Sequence, residues 1–255
     1  MEKVLLSIAG YDPTSGAGIL LDLKVFQHKH FLGMGILTSI TAQNTKHVKK
    51  IHCLPTELIW NQYETLYKDI HFSGIKVGMV GCKNNLQIID RILSENLDIP
   101  TVVDPVFKSS SGFWLIEKEG ISDYINTISG KASLLTPNLE EASLISGINI
   151  KNPGHMKKAA QRIFAMSGIP CIIKGGHLPE SPIDLLYNGS NFYSFERERI
   201  EKNVHGTGCL FSSAVLCCLV NKIPLKKSCY LAGSLTYDAI KSSIPVGKGQ
   251  NIITF

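Results

Sequence analysis

Charge is scarce in this chain: Asp, Glu, Lys and Arg make up 18% of 255 residues, and 26 basic against 21 acidic side chains leave a formal +5. No basic block with interleaved aromatics occurs, which argues against a nucleic-acid partner, while a mild positive surplus suits an anionic small molecule. There is no Cys-x-x-Cys. The seven cysteines stand at 53, 82, 171, 209, 217, 218 and 229, and their odd number and irregular spacing argue against a zinc site or a secreted disulfide framework. Reduced thiols and a cytoplasmic location are expected. Long hydrophobic runs are missing too. The N-terminal apolar run is about six residues, far below the roughly 20 of a membrane helix, and no targeting segment is evident. The greasiest stretch, 209–220, is broken by Ser212 and Ser213 and reads as a buried helix. No repeat, low-complexity tract or long linker divides the chain. With 44% hydrophobic residues it can bury a large core without covalent staples, so one domain over 1–255 is expected.

What is present is a rhythm. Short β-branched runs at 4–9, 35–41, 75–80, 101–106, 133–136 and 171–174 alternate with helical patterns at 19–28, 55–69, 84–96, 152–167, 207–221 and 225–243. Several strands are apolar on both faces, as strands covered by helices on two sides should be. This predicts an α/β protein with a mostly parallel sheet. Segments 184–187 and 192–195 break the rhythm and read as a β-hairpin around Asn188-Gly189.

In an open α/β sheet, ligands gather at the carboxyl ends of the strands. Six polar or glycine-rich segments stand there in succession: Gly10-Tyr-Asp-Pro-Thr-Ser-Gly-Ala-Gly18, Ala42-Gln-Asn-Thr45, Gly78-Met79, Asp104-Pro105, Thr136-Pro-Asn138 and Lys174-Gly-Gly-His177. The strongest element is Asn203-Val-His-Gly-Thr-Gly-Cys209, followed at once by an apolar helix. Its glycines let backbone N–H groups turn toward one point, and the helix start adds partial positive charge, so the segment is a ready anion hole. In that first turn the helix field is expected to lower the pKa of the Cys209 thiol and make it a proton acceptor. On these residues alone, a plain helix cap with a buried cysteine serves as well.

Taken together, Ala-Gly-x-Asp-Pro-x-x-Gly-Ala-Gly at 9–18, Ala-Gln-Asn-Thr at 42–45, Thr-Pro-Asn-x-x-Glu-Ala at 136–142, Lys-Gly-Gly-His at 174–177 and Gly-Thr-Gly-Cys at 206–209 resemble one family over essentially the whole chain. It is that of the hydroxymethylpyrimidine/phosphomethylpyrimidine kinases of thiamine biosynthesis, in the ribokinase-like superfamily. The resemblance implies a three-layer α/β/α sandwich and ATP-dependent phosphorylation of 4-amino-5-hydroxymethyl-2-methylpyrimidine and then of its monophosphate. By that resemblance Cys209 is the base, and the amides of Gly206, Thr207 and Gly208 form the anion hole, with Thr207 also on the nucleotide. Asp22, Gln43, Met79 and Val106 contact the pyrimidine, Asn138 and Lys174 face the ATP phosphates, and Asp104 and Glu141 are the neighbours of Mg²⁺. A homodimer is also implied, and a monovalent cation as a further aid is left open. Read without it, Asp22 is as well a solvated helix residue, Met79 a core filler, and Lys174 a strand-end lysine; His177 and Asp184 have no assigned role.

The chain departs from the family's habit at several points. Leu20 replaces the usual glutamine, Tyr11 a Ser or Thr, and Phe107 a commoner methionine. The C-terminal Gly247-Lys-Gly-Gln-Asn-Ile-Ile-Thr-Phe255 lacks the third glycine and the proline of a loop expected to lie near the nucleotide. Two alternatives stay open at this point: a pyridoxal or pyridoxine kinase, alone or as a second activity, and a non-catalytic pyrimidine-binding paralogue.

Overall fold

In the computed structural model, which describes residues 3–109, 112–176, 178 and 182–255, one twisted sheet carries the strand ends to a common edge. Its strands are β1 (Val4–Tyr11), β2 (Leu32–Gln43), β3 (Val48–Cys53), β4 (Gly74–Val77), β5 (Thr101–Val103), β6 (Leu134–Leu135), β7 (Cys171–Ile173), β8 (Ile183–Tyr187) and β9 (Phe192–Glu196). The order is β3-β2-β1-β4-β5-β6-β7-β8-β9. The pairs from β2 to β7 are parallel; β3 at one edge and β8 and β9 at the other run antiparallel. The expected hairpin is β8–β9, turned at Gly189 with φ +94° and held by the Asn188 carboxamide, which accepts from the amides of Ser190 and Asn191.

Among the described residues eight α-helices cover the sheet: α1 (Gly18–His28), α2 (Thr56–Tyr67), α3 (Leu86–Ser94), α4 (Gly120–Ile128), α5 (Leu139–Ser146), α6 (Pro153–Ser167), α7 (Thr207–Val220) and α8 (Leu225–Ser242). Strand alternation sends Leu5, Val102, Leu134 and Ile172 toward Leu21, Phe26, Leu210 and Ala232 of α1, α7 and α8. Their neighbours Leu6, Val103, Leu135 and Ile173 point the other way, toward Ile59, Ile89, Tyr124 and Ile163 of α2, α3, α4 and α6. Residues i and i+1 of a strand face opposite sides, so two cores form and the architecture is the expected α/β/α sandwich of the ribokinase-like kind. Phe107, one of the departures, is buried and packs edge-on against Tyr124 at 5.2 Å. Strand β1 has a parallel neighbour on each side, and the chain leaves it through α1 on one face and reaches β4 through α2 on the other. Such a switch point opens a crevice at the strand ends.

The structure corrects several expectations. Strands β4 and β5 stop at Val77 and Val103, three residues early, because Gly78 and Asp104-Pro105 turn the chain out of the ladder at the crevice. Strand β3 was not foreseen. Its Val-Lys-Lys-Ile-His-Cys sequence looks like a loop, and Lys49, Lys50 and His52 are exposed on an edge strand, where lysines discourage further pairing. Helices α4 and α5 were also missed. The C-terminal loop is clamped on the turn after β2: the amides of Gly249 and Gln250 donate to Thr45 Oγ1 (3.2 Å) and Thr45 O (2.8 Å). Its further contact is with the approach to α7, where Asn251 O accepts from the His205 amide at 3.0 Å. Among the described residues no helix is long and apolar enough to cross a membrane.

Helix α3 shows how the packing carries stability: Leu86, Ile89, Ile92 and Leu93 lie on one buried face. Ile89 is fully buried, and Ile89→Ala is expected to lower unfolding free energy by about 2–5 kcal/mol through lost transfer energy and a residual cavity. Urea unfolding at an unchanged m-value is the measurement.

Candidate active site

Two helix starts meet at the switch point. The loop after β1 wraps around Asp12, whose Oδ1 accepts from the amide and hydroxyl of Thr14, each at 2.8 Å. Its Oδ2 accepts from the Ala17 amide at 3.0 Å and lies 2.7 Å from His205 Nε2. Burial pushes the Asp12 carboxyl up, but the bonds from His205 and Thr14 outweigh it and hold it below the usual range. One carboxylate therefore ties the loop before α1 to the segment before α7. Gly206, the N-cap of α7, has φ +80° and no capping side chain. A Cβ there would run into the carbonyl oxygen of Gly16, so only glycine allows the two loops to touch. With no side chain accepting from them, the first amides of α7 remain directed outward as a cradle for an anion.

Cys209 sits in that first turn, only partly exposed, and the Gly18 amide at the start of α1 donates to its sulfur. The expected lowering of its pKa does not survive: desolvation pushes the thiol up to about 11, against Lys76, which pulls it down. Removing water from around the thiolate costs more than the nearby positive charges return. Asp22, expected at the pyrimidine, is placed beneath the two helix starts. It is fully buried, its Oδ2 accepts from Ser7 Oγ at 2.6 Å and Lys76 Nζ at 2.8 Å, and its Oδ1 accepts from Ser213 Oγ at 2.9 Å. Both oxygens are engaged within the protein.

A second cluster lies on the other side of α7. Asp104, 2% exposed, accepts on Oδ1 from Lys174 Nζ at 2.9 Å and Thr136 Oγ1 at 3.0 Å. A Cβ on Gly208 would begin 3.0 Å from Lys174 Nζ and 3.3 Å from Asp104 Oδ2, so the ion pair reaches right to the anion cradle. Asn138 and Glu141 form a reciprocal cap on α5: the Glu141 amide donates to Asn138 Oδ1 at 2.9 Å and the Asn138 amide to Glu141 Oε2 at 2.8 Å. Burial raises the Glu141 carboxyl, Lys174 pulls it back and Asp104 raises it further. Burial opposes the charge on Lys174, but Asp104 and Glu141 prevail and raise its pKa, so it stays cationic. Two buried carboxyl groups, Asp104 and Glu141, close to the start of α7 suit a hard cation that takes few protein oxygens and keeps its own waters, as Mg²⁺ does.

The remaining expected residues share the crevice edge without joining these clusters closely. Gln43 ends β2, and Met79, 9% exposed, follows β4; its carbonyl accepts from Thr38 Oγ1 at 2.6 Å. Val106 donates its amide to Asp104 O at 2.9 Å. His177 lies outside the described residues. Asp184 accepts from the Gly175 amide at 3.1 Å and stands 3.7 Å from Arg197, fixing the loop beside Lys174.

Asp12, His205 and Lys76 were missed in the sequence. For Asp12 the signal is Asp-Pro-Thr-Ser at 12–15, the pattern of a turn folded back on its own side chain. Lys76 was detectable as a lysine in the middle of the apolar run Gly-Ile-Lys-Val-Gly at 74–78, since a charge there must be paired if buried.

Comparison with known proteins agrees with this geometry. A model of the family described as phosphomethylpyrimidine kinase matches residues 12–254. The hydroxymethylpyrimidine/phosphomethylpyrimidine kinase of Aquifex aeolicus is 34% identical over 99% of this chain and 100% of its own. Among solved structures, an ADP complex of Bacillus subtilis pyridoxal kinase superposes with a TM-score of 0.90 at 31% identity, covering 100% of this chain and 97% of that one. The Staphylococcus aureus pyridoxal kinase in complex with pyridoxal gives 0.92 at 31% identity, covering 100% and 93%. With a family match over residues 12–254 and a relative 34% identical over 99% of this sequence, the chain belongs to the phosphomethylpyrimidine kinase family.

Proposed function

We propose that this protein transfers the γ-phosphoryl group of ATP to 4-amino-5-hydroxymethyl-2-methylpyrimidine and then to the resulting monophosphate, as a step of thiamine biosynthesis. The observation that carries the reading is the uncapped start of α7, with Cys209 on one side of its amides and the Lys174–Asp104 pair on the other. In phosphoryl transfer the protein supplies positioning and charge. The amides of Gly206, Thr207 and Gly208 receive the charge spreading over the transferred group, and Lys174 together with Asn138 and Thr207 holds the donor phosphates. Asp104 and Glu141 are the residues that would hold magnesium, which supplies charge neutralisation on those phosphates. Gln43 reads the polar edge of the pyrimidine, and Met79 and Val106 cover its ring. Cys209 takes the proton of the attacking hydroxymethyl group. A cytoplasmic homodimer is the assembly this reading carries.

The two acceptors place different demands on Cys209. The alcohol must lose a proton as it attacks, whereas a phosphate monoester has a second pKa of about 6 and already presents an anionic oxygen at neutral pH. Cys209→Ala is expected to slow alcohol phosphorylation at least about 100-fold and to slow phosphorylation of the monophosphate far less, with ATP binding retained. Mass-spectrometric counting of one and then two added phosphates measures both; undiminished turnover of the alcohol removes the thiol from the reaction.

A base must be deprotonated to work, and the Cys209 thiol is pushed up to about 11. Only about one molecule in ten thousand then carries a thiolate at pH 7. On the alcohol, kcat/KM should therefore climb with pH by about tenfold per unit between 7 and 9, and the Cys209→Ala variant should lose that slope.

The likeness to two pyridoxal kinases favours a second reading, in which pyridoxal, another flat heteroaromatic hydroxymethyl compound, is also phosphorylated. Side-by-side turnover decides the order of preference. The pyrimidine is expected to lead, and a preference for pyridoxal by orders of magnitude overturns the substrate assignment.

A further inference from the structure

Lys76 is fully buried in β4 with its ammonium sealed between the sheet and the two helix starts. Neighbours on the same strand, Ile75 and Val77, face the opposite core, so strand alternation points Lys76 under α1 and α7. A helix stacks residues i and i+4 on one face. On α1 this places Gly18 above Asp22, and on α7 it places Cys209 above Ser213. The Gly18 amide meets the Cys209 sulfur in the upper layer, and Ser213 meets Asp22 in the lower one. Lys76 bonds Asp22 at 2.8 Å from below, and a Cβ on Gly78 would begin 2.6 Å from its Nζ, so the nitrogen reaches up to the crevice floor. Of its three N–H groups, one is taken by Asp22, whose charge is already shared with the hydroxyls of Ser7 and Ser213.

We propose that Lys76 is a positioning residue for the reaction: a buried positive charge beneath the start of α7 on which formation of the Cys209 thiolate depends, carried there by its strand and partly offset by its counter-ion Asp22, which Ser7 and Ser213 in turn hydrogen-bond. This rests on the reading of Cys209 as proton acceptor. The groups acting on the thiol from the elements around it are Lys76 on β4, Asp22 and the Gly18 amide on α1, Asp104 after β5 and Lys174 after β7. Of the charged ones, Lys76 acts most strongly in favour of the thiolate, while Asp22 and Asp104 oppose it. Lys76 and its counter-ion Asp22 therefore act on the thiol with opposite sign, which a merely structural role for the pair does not predict.

The test is alkylation of the ligand-free protein by iodoacetamide at pH 8, with Cys209 followed by peptide mass spectrometry. Lys76→Met alone would strand a buried carboxylate and endanger folding, so the comparison is between Asp22→Asn and the double variant Asp22→Asn/Lys76→Met, each checked by thermal melting. Asp22→Asn leaves Lys76 without its competing anion and should speed Cys209 alkylation at least about threefold over the unaltered protein. Removing Lys76 in the same background should then slow it about tenfold or more. Equal rates in the two variants, or slower alkylation in Asp22→Asn, overturn the assignment. The outcome separates from that of the functional reading. If the two rates diverge as stated while Cys209→Ala keeps full alcohol turnover, the charge assignment stands and the base assignment falls. If Cys209→Ala loses turnover while the two variants react alike, the reverse holds.

Discussion

The site depends on two helices beginning in contact. At the switch point of the sheet, the loop before α1 and the loop before α7 approach until the Gly16 carbonyl lies where a side chain on residue 206 would have to be. Such an approach brings two sets of unsatisfied amides and two positive helix ends together, which repel each other without an anion between them. Asp12 supplies that anion inside the protein, bonded to Thr14, Ala17 and His205. What remains pointing outward is the start of α7, and a bound phosphoryl group would complete the charge balance there. The C-terminal segment meets this region through the backbones of Asn203 and His205 and is held besides by Thr45, Ser243 and Ile244.

Much of this was legible in the sequence, for a physical reason. The strand ends carry turn and cap signals tied to residue type, such as the glycines at 206 and 208 and the Asn138/Glu141 spacing of a helix cap. These survive as visible pattern. The parts that were hidden are those where one residue serves long-range electrostatics. Lys76 follows the period-2 alternation of β4 as if it were a leucine, and Asp22 occupies a helix position that reads as solvent-facing. Only the register of β1 against β4 and the packing of α1 on α7 bring them together, across 54 residues. Strand β3 was hidden for the opposite reason: an edge strand with one neighbour can be polar, and its lysines removed the alternation by which strands are recognised.

The pKa of Cys209 shows how local and global effects compete. A helix start taken alone favours a thiolate, and the sequence supports that expectation. The fold then encloses the first turn of α7 between α1, β4 and the Asp104 loop, and desolvation grows faster than the field of a few amides. Asp22 and Asp104 add to the cost, because both are negative and both are needed elsewhere, one to hold Lys76 and one to hold Lys174. A phosphoryl group bound there would need water kept away from it, and exposing the thiol to make it more acidic would admit that competing nucleophile.

A pocket that serves two acceptors in succession faces a related conflict. The first acceptor is a neutral alcohol and benefits from a strong proton acceptor beside it; the second is an anion and is repelled by one. A thiol that is neutral at rest and becomes a thiolate only fleetingly satisfies both, because the anionic monophosphate then meets an uncharged side chain rather than a standing negative charge. An aspartate at position 209 would stay charged in most surroundings and oppose the second acceptor through its whole approach. On the proposed reading, a thiol that burial keeps neutral leaves the crevice uncharged for the second acceptor, while the buried Lys76 favours the thiolate that the first transfer calls for.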